Sequence, residues 1–297
     1  MTCFTGLSAF PITPTSPEGR VDVAALRALI APLVTAGVDS IGLLGSTGTY
    51  AYLSREERRR ALDAALDETA ERVPVIVGIG ALRTDEAVRL AQDARAAGAT
   101  AGLLAAVSYT PLTDEEVFEH FATVAAQGGL PLCIYDNPGT THFRFTPSLV
   151  GRLAARPGIA ALKSPAPEAA AVADHLDALR HAVPPSFRLG FSGDWNAAEA
   201  LLAGGEAWYS VAAGLVPKPC LAILAAARAG EAARARALNA RMQPLWDLFR
   251  EHSSLRVSYA AARILGLCRA DPPRPILPLP PPVQDWVAEV LRGLDPA

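Results

Sequence analysis

Eight short apolar runs, each bounded by glycine, proline or polar residues, alternate with longer segments of helical character from Gly6 to about Gly230. The runs GLSAF, SIGLLG, PVIVGIG, AGLLAA, LPLCIYD, GIAALKS, FRLGFS and AWYSVAA are too short for helices and apolar on both faces, as suits strands covered on both sides. Between them lie segments such as VDVAALRALIAPLVTAG, SREERRRALDAALDETAERV and TDEAVRLAQDARAAG, with apolar residues at three- and four-residue steps. Ser54, Thr84 and Thr113 stand where N-caps are expected. Eight strand–helix units predict a closed parallel (β/α)8 TIM barrel. A doubly wound open sheet is the alternative, but its first strand would lead into a glycine-rich phosphate turn, and here it leads into PITPTSPEG.

The strand signal ends near residue 230. EAARARALNARMQPLWDLFREH and SLRVSYAAARILG read as helices, PPRPILPLPPP as a stiff connector, and VQDWVAEVL as part of a last helix. The expected division is a barrel over residues 1–230 and a helical region over 231–297 packed on it. A formal net charge of −3 with 19% charged residues offers no electrostatic footprint for nucleic acid or an anionic membrane, which leaves a small-molecule partner. No apolar run approaches a membrane span, and MTCFTGLSAFPITP lacks a basic segment followed by an apolar signal core, so a cytoplasmic location is expected. Cys3, Cys133, Cys220 and Cys268 show neither zinc-ligand spacing nor the density of a disulfide scaffold; they are expected to be reduced, mostly buried thiols, with no metal bound. Arg55, Arg58, Arg59 and Arg60 beside Glu56 and Glu57 read as a solvated helix face.

In such a barrel, chemistry gathers at the C-terminal ends of the strands. Lysine occurs in this chain only at Lys163 and Lys218, every other basic residue counted being arginine. Lys218 lies between two prolines and reads as solvated. Lys163 ends strand six, where apolar neighbours penalise its charged form and favour a neutral amine able to attack a ketone. Period-two alternation puts Lys163, Ala161 and Ile159 on one face, and Tyr135, Cys133 and Pro131 on one face of the neighbouring strand. No Asp, Glu or His is read at a strand tip beside Lys163. Tyr135 is therefore the available proton shuttle, with the hydroxyls of Ser46 and Tyr109 as its relay. The turn GSTG, with the hydroxyls of Ser46 and Thr47, suits a small carboxylate, as a 2-oxo acid would present.

The ordered set GSTG, Tyr109 ahead of EEVFEHF, YDNPG, ALKS and SGD followed by AGGEAWYSVAAG resembles the dihydrodipicolinate synthase and N-acetylneuraminate lyase superfamily of pyruvate-dependent class I aldolases. The resemblance runs from residue 6 to about 230. It implies a Schiff base on Lys163 with no separate cofactor, and proton relay through Tyr135, Ser46 and a Tyr109 donated across a tight dimer interface. It also implies a homotetramer built as a dimer of dimers, with pyruvate held by Ser46 and Thr47. Thr140 and Tyr209 are further candidates for substrate contact.

This sequence departs from the pattern on the acceptor side. Dihydrodipicolinate synthases read like YNxPGRT after the strand-five tyrosine, with an arginine for the second substrate's carboxylate; here the arginine position is Thr140. Thr49 replaces the usual glutamate after the GTTG-type turn, and Ser108 the first of two tyrosines. The expectation is a Schiff-base aldolase that cleaves a 2-oxo acid reversibly to pyruvate and a hydroxylated or aromatic aldehyde, or a sugar-acid chain. The alternatives are a dehydratase of a keto-deoxy sugar acid, 4-hydroxy-tetrahydrodipicolinate synthase, and a catalytically silent barrel that binds a 2-oxo acid.

Overall fold

The computed structural model describes residues 3–294, so the outermost residues of the two expected segments, 1–2 and 295–297, lie outside it. Each of the eight apolar runs forms a strand: β1 (Gly6–Ala9), β2 (Ser40–Leu43), β3 (Val75–Gly78), β4 (Ala101–Ala105), β5 (Leu132–Tyr135), β6 (Ile159–Pro165), β7 (Arg188–Ser192) and β8 (Ala207–Ser210). All pairings are parallel, and β8 returns to β1, closing the barrel in sequence order. The open sheet is thereby excluded.

Two nested layers of side chains follow from the alternation along each strand. Ile76, Leu103, Cys133, Ala161 and Tyr209 fill the barrel interior with Phe4 and Phe10. Trp208, Phe191 and Leu162 face the surrounding helices. Gly42 makes room for the Phe10 ring, since a Cβ there would lie 2.1 Å from it.

Strict alternation fails at one place. The β5–β6 register shifts between Leu132 and Cys133, so Ile159 pairs with Leu132 and packs outward, whereas Ala161 pairs with Cys133 and packs inward. Ile159 therefore does not share a face with Lys163, because the irregularity at the strand's start turns it out.

Ser54 and Thr113 cap their helices, the latter as a reciprocal capping box with Glu116. Thr84 does not: Arg83 is the N-cap, and Thr84 Oγ1 lies 2.9 Å from His120 Nδ1 on the neighbouring helix. Beyond the barrel, the first expected long helix is two, Ala232–Arg241 and Gln243–His252, broken at Met242 ahead of Pro244. Helices Ser254–Ile264 and Pro281–Leu294 follow. Among the described residues no helix is long and apolar enough to cross a membrane.

Candidate active site

Lys163 and Tyr135 are register partners on adjacent strands, and both side chains point into the barrel mouth. Lys163 is 5% exposed. Its Nζ sits 4.1 Å from the centroid of the Tyr135 ring and 5.1 Å from that of Phe10, which the glycine at position 42 lets approach. The ring faces supply attraction to the nitrogen when it is cationic. Below, Tyr209 packs over Gly190, the register partner of Lys163, where a Cβ would lie 2.5 Å from the ring.

The hydroxyl of Tyr135 accepts a hydrogen bond from Asn137 Nδ2 at 2.9 Å and meets Ser46 Oγ at 2.9 Å. Asn137 was not singled out in the sequence, where it reads as a turn residue before Pro138. Ser46 belongs to the turn after β2, bracketed by two residues in left-handed backbone, Leu44 (φ 56°) and Thr49 (φ 54°). Such conformations cost about 1–3 kcal/mol each outside glycine and persist only where packing enforces them. Here Leu44 and Thr49 are both buried.

Ser46 and Thr47 form one wall of a cavity of about 450 Å³. Thr140, Thr141 and Asn137 form a second wall, on the loop after β5. Ser253, Ser254 and Leu255 close it from the helical region, Ser253 in a left-handed conformation (φ 73°). The helical region is thus part of the site as well as packing on the barrel, a role that its helical periodicity does not signal. Tyr50 lines the same cavity, its phenol pushed well up by burial. Behind it Arg58 lies 5.1 Å over the ring and donates to the Gly80 carbonyl at 2.8 Å. Arg58 is thus a half-buried support rather than part of a solvated face. Among the described residues that line the cavity there is no Asp, Glu, His, Lys or Arg.

Two expected residues lie apart from this group. Tyr209 is 1% exposed, takes the Cys133 S–H at 3.7 Å, and does not line the cavity. Tyr109 is 96% exposed and borders a separate depression of about 240 Å³; Ser108 and Thr141 line both hollows. His142 and Arg144 are exposed, and neither lines the larger cavity. Burial pushes the Cys133 thiol up to about 12, which leaves it an inert packing group.

Two carboxylates inside the motifs YDNPG and SGD are given no role by the sequence reading. Asp194, after β7, accepts hydrogen bonds from Trp208 Nε1 at 2.8 Å and from the backbone N–H groups of Val211 and Ala212, fixing the turn after β8. Burial raises its carboxyl above the usual range despite those donors. Asp136 follows Tyr135, is 6% exposed, and is pushed up to about 6 by burial.

Residues 3–293 match the family model described as the dihydrodipicolinate synthetase family. The chain belongs to the dihydrodipicolinate synthetase family. It is a lyase of that family. Curated relatives include the 4-hydroxy-tetrahydrodipicolinate synthases of Methylococcus capsulatus, 38% identical over 84% of each chain, and of an Azoarcus species, 35% identical over 97% of each. Among solved structures, a dihydrodipicolinate synthase from Agrobacterium tumefaciens is 56% identical with a TM-score of 0.96, covering 98% of both chains. The chloride-inhibited dihydrodipicolinate synthase from Acinetobacter baumannii, solved with pyruvate, is 28% identical with a TM-score of 0.90, over 99% of this chain and all of that one. In this family member, a line of contact runs from the cavity wall through Ser46 and Tyr135 to the amine of Lys163.

Proposed function

We propose that this lyase runs a reversible aldol reaction through a pyruvate enamine on Lys163. The observation that carries the reading is the Lys163 amine seated on the ring of Tyr135, whose hydroxyl lies 2.9 Å from Ser46. The amine of Lys163 adds to the ketone carbon of pyruvate and water leaves, giving an iminium. Loss of a methyl proton gives the enamine, whose terminal carbon bonds to the aldehyde carbon while the aldehyde oxygen takes a proton. Water then releases the 4-hydroxy-2-oxo acid and restores the amine. Tyr135 moves the protons, with Ser46 as the next hydroxyl in line and Thr47 beside it for the pyruvate carboxylate.

The acceptor end of the cavity presents the hydroxyls of Thr140, Thr141, Ser253 and Ser254 and no cation. That favours a hydroxylated aldehyde over one gripped by a bidentate arginine–carboxylate pair. The names of the relatives favour a second reading, 4-hydroxy-tetrahydrodipicolinate synthase, in which aspartate semialdehyde is the acceptor. The same proposal takes the enzyme as a cytoplasmic homotetramer in which Tyr109 completes a neighbouring subunit's relay; its near-complete exposure in one chain supports that placement.

A coupled assay of pyruvate with aspartate semialdehyde and with a panel of hydroxylated aldehydes separates the readings. Preferred turnover of a hydroxylated aldehyde supports the first. Selective turnover of aspartate semialdehyde overturns it and establishes the second.

A further inference from the structure

Phe10 follows β1 and extends its pairing with β8 by one residue, its N–H donating to the Ser210 carbonyl at 2.8 Å. Alternation turns Ala9 out to the helices and Phe10 into the barrel, where it is 3% exposed. Its ring occupies a slot left by two glycines. A Cβ at Gly42 would fall 2.1 Å from the ring, and one at Gly45 would fall 2.8 Å from it. Neither glycine has a positive φ, so it is the ring, and not the backbone, that calls for glycine there. Tyr209 meets the ring at 88° with centroids 6.0 Å apart, an edge-to-face contact that fixes its plane.

The face so fixed is presented to Lys163. Nζ stands over the Phe10 ring at 5.1 Å from its centroid and over the Tyr135 ring at 4.1 Å, both inside the ~6 Å reach of cation–π attraction. Lys163 is 5% exposed, and among the described residues its amine enters no ion pair or hydrogen bond. A charge held so far from water needs a partner. Besides Tyr135, the titratable groups that feel the charge of Lys163 are Cys133, Asp136 and Asp194. Cys133 is a neutral thiol, Asp136 turns out from the barrel, and the oxygens of Asp194 are engaged by Trp208, Val211 and Ala212. The ring faces are the groups placed to meet the amine.

We propose that Phe10 is a positioning residue for the nitrogen of Lys163, its ring face holding the positive charge of the ammonium and, after pyruvate adds, of the iminium. The proposal rests on Lys163 as the imine-forming amine. Condensation of an ammonium with a ketone gives an iminium and one water, so the nitrogen carries a single positive charge before and after. A ring face attracts that charge through its quadrupole and has no formal charge of its own. It therefore does not repel the pyruvate carboxylate, as an aspartate or glutamate in its place would.

Graded fluorination separates charge from packing, because fluorine drains electron density from the ring face while changing its shape little. The chain has two lysines, so trace acetylation with acetic anhydride across pH, read by peptide mapping, follows Lys163 with the exposed Lys218 as an internal reference. When Phe10 is replaced by 4-fluorophenylalanine and then by 3,4,5-trifluorophenylalanine, the pH of half-reaction at Lys163 moves down in steps, by about one unit in total. That of Lys218 stays. Replacement by 4-methylphenylalanine, bulkier at the same ring atom and not electron-poor, leaves the Lys163 midpoint in place. A folded trifluoro protein with an unmoved midpoint overturns the proposal. So does a methyl variant that shifts as far as the fluorinated ones, or a shift shared by both lysines. The single fluorine is the smaller perturbation, and its own downward step or lack of one decides the matter where the trifluoro protein does not fold. Borohydride trapping with pyruvate is the separate readout: an adduct on Lys163 without the graded shift overturns the role of the ring alone. A graded shift without an adduct supports the role of the ring and overturns the imine reading.

Discussion

The hydroxyls of Ser46 and Tyr135, 89 residues apart in sequence, stand 2.9 Å from each other, and Asn137 Nδ2 donates to the same phenol oxygen at 2.9 Å. With a lone pair taken by Asn137, the Tyr135 O–H proton is directed to Ser46 or to a substrate atom. Tyr135→Phe is expected to lower turnover about 10²–10⁴-fold, the range for a general acid–base group. Ser46→Ala loses one member of the relay and costs less. Asn137→Ala leaves the phenol in place but frees its orientation. Steady-state kinetics on the three variants check this order, and a Tyr135→Phe enzyme with unimpaired kcat contradicts the relay.

Tyr109 tests the assembly. Within one chain it is 96% exposed and outside the larger cavity. If it completes the neighbour's relay, mixing inactive Lys163→Ala and Tyr109→Phe subunits regenerates sites that have both groups. Activity appearing in verified mixed oligomers supports the shared site; none appearing places Tyr109 outside the neighbour's chemistry.

Asp136 makes stability depend on pH in an unusual direction for an aspartate. Its carboxyl is raised from an ordinary 3.8 to about 6, so the folded state holds the proton more tightly than the unfolded chain does. Below 3.8 both states are protonated and the group contributes nothing. Between 3.8 and 6 stability falls as pH rises, and above 6 the full burial penalty of about 1–3 kcal/mol is present. Asp136→Asn is expected to be more stable than the parent at neutral pH by that order, with the difference vanishing near pH 4. Urea unfolding at several pH values measures it. Equal stability at pH 7.5 would mean that Asp136 is satisfied in a way that the hydrogen-bond pattern does not reveal.

The barrel was legible from run length and helical period. Short apolar runs bounded by glycine, proline or polar residues located all eight strands, and steps of three and four located the helices between them. The convergence of Lys163 and Tyr135 was legible because both stand toward the C-terminal ends of adjacent strands with their side chains on the inner face. What depends on contacts distant in sequence was not. Arg58 looks solvated on its own helix because Tyr50, which it covers, comes from the preceding loop. Ser253 and Ser254 look like a join between helices, and only the packing of the C-terminal region brings them over the barrel mouth. Asp136 was passed over because alternation directs its side chain away from the barrel mouth. Tyr209 shows the converse: strand eight does carry it inward, but below the cavity, where it serves as packing.

The most direct measurement is borohydride reduction of the protein in saturating pyruvate, followed by intact-mass analysis and peptide mapping. The expected result is one reduced pyruvyl group per chain, on the peptide containing Lys163, absent in Lys163→Ala and in protein reduced without pyruvate. An unmodified Lys163, or an adduct on Lys218 alone, contradicts imine chemistry at the strand-six lysine.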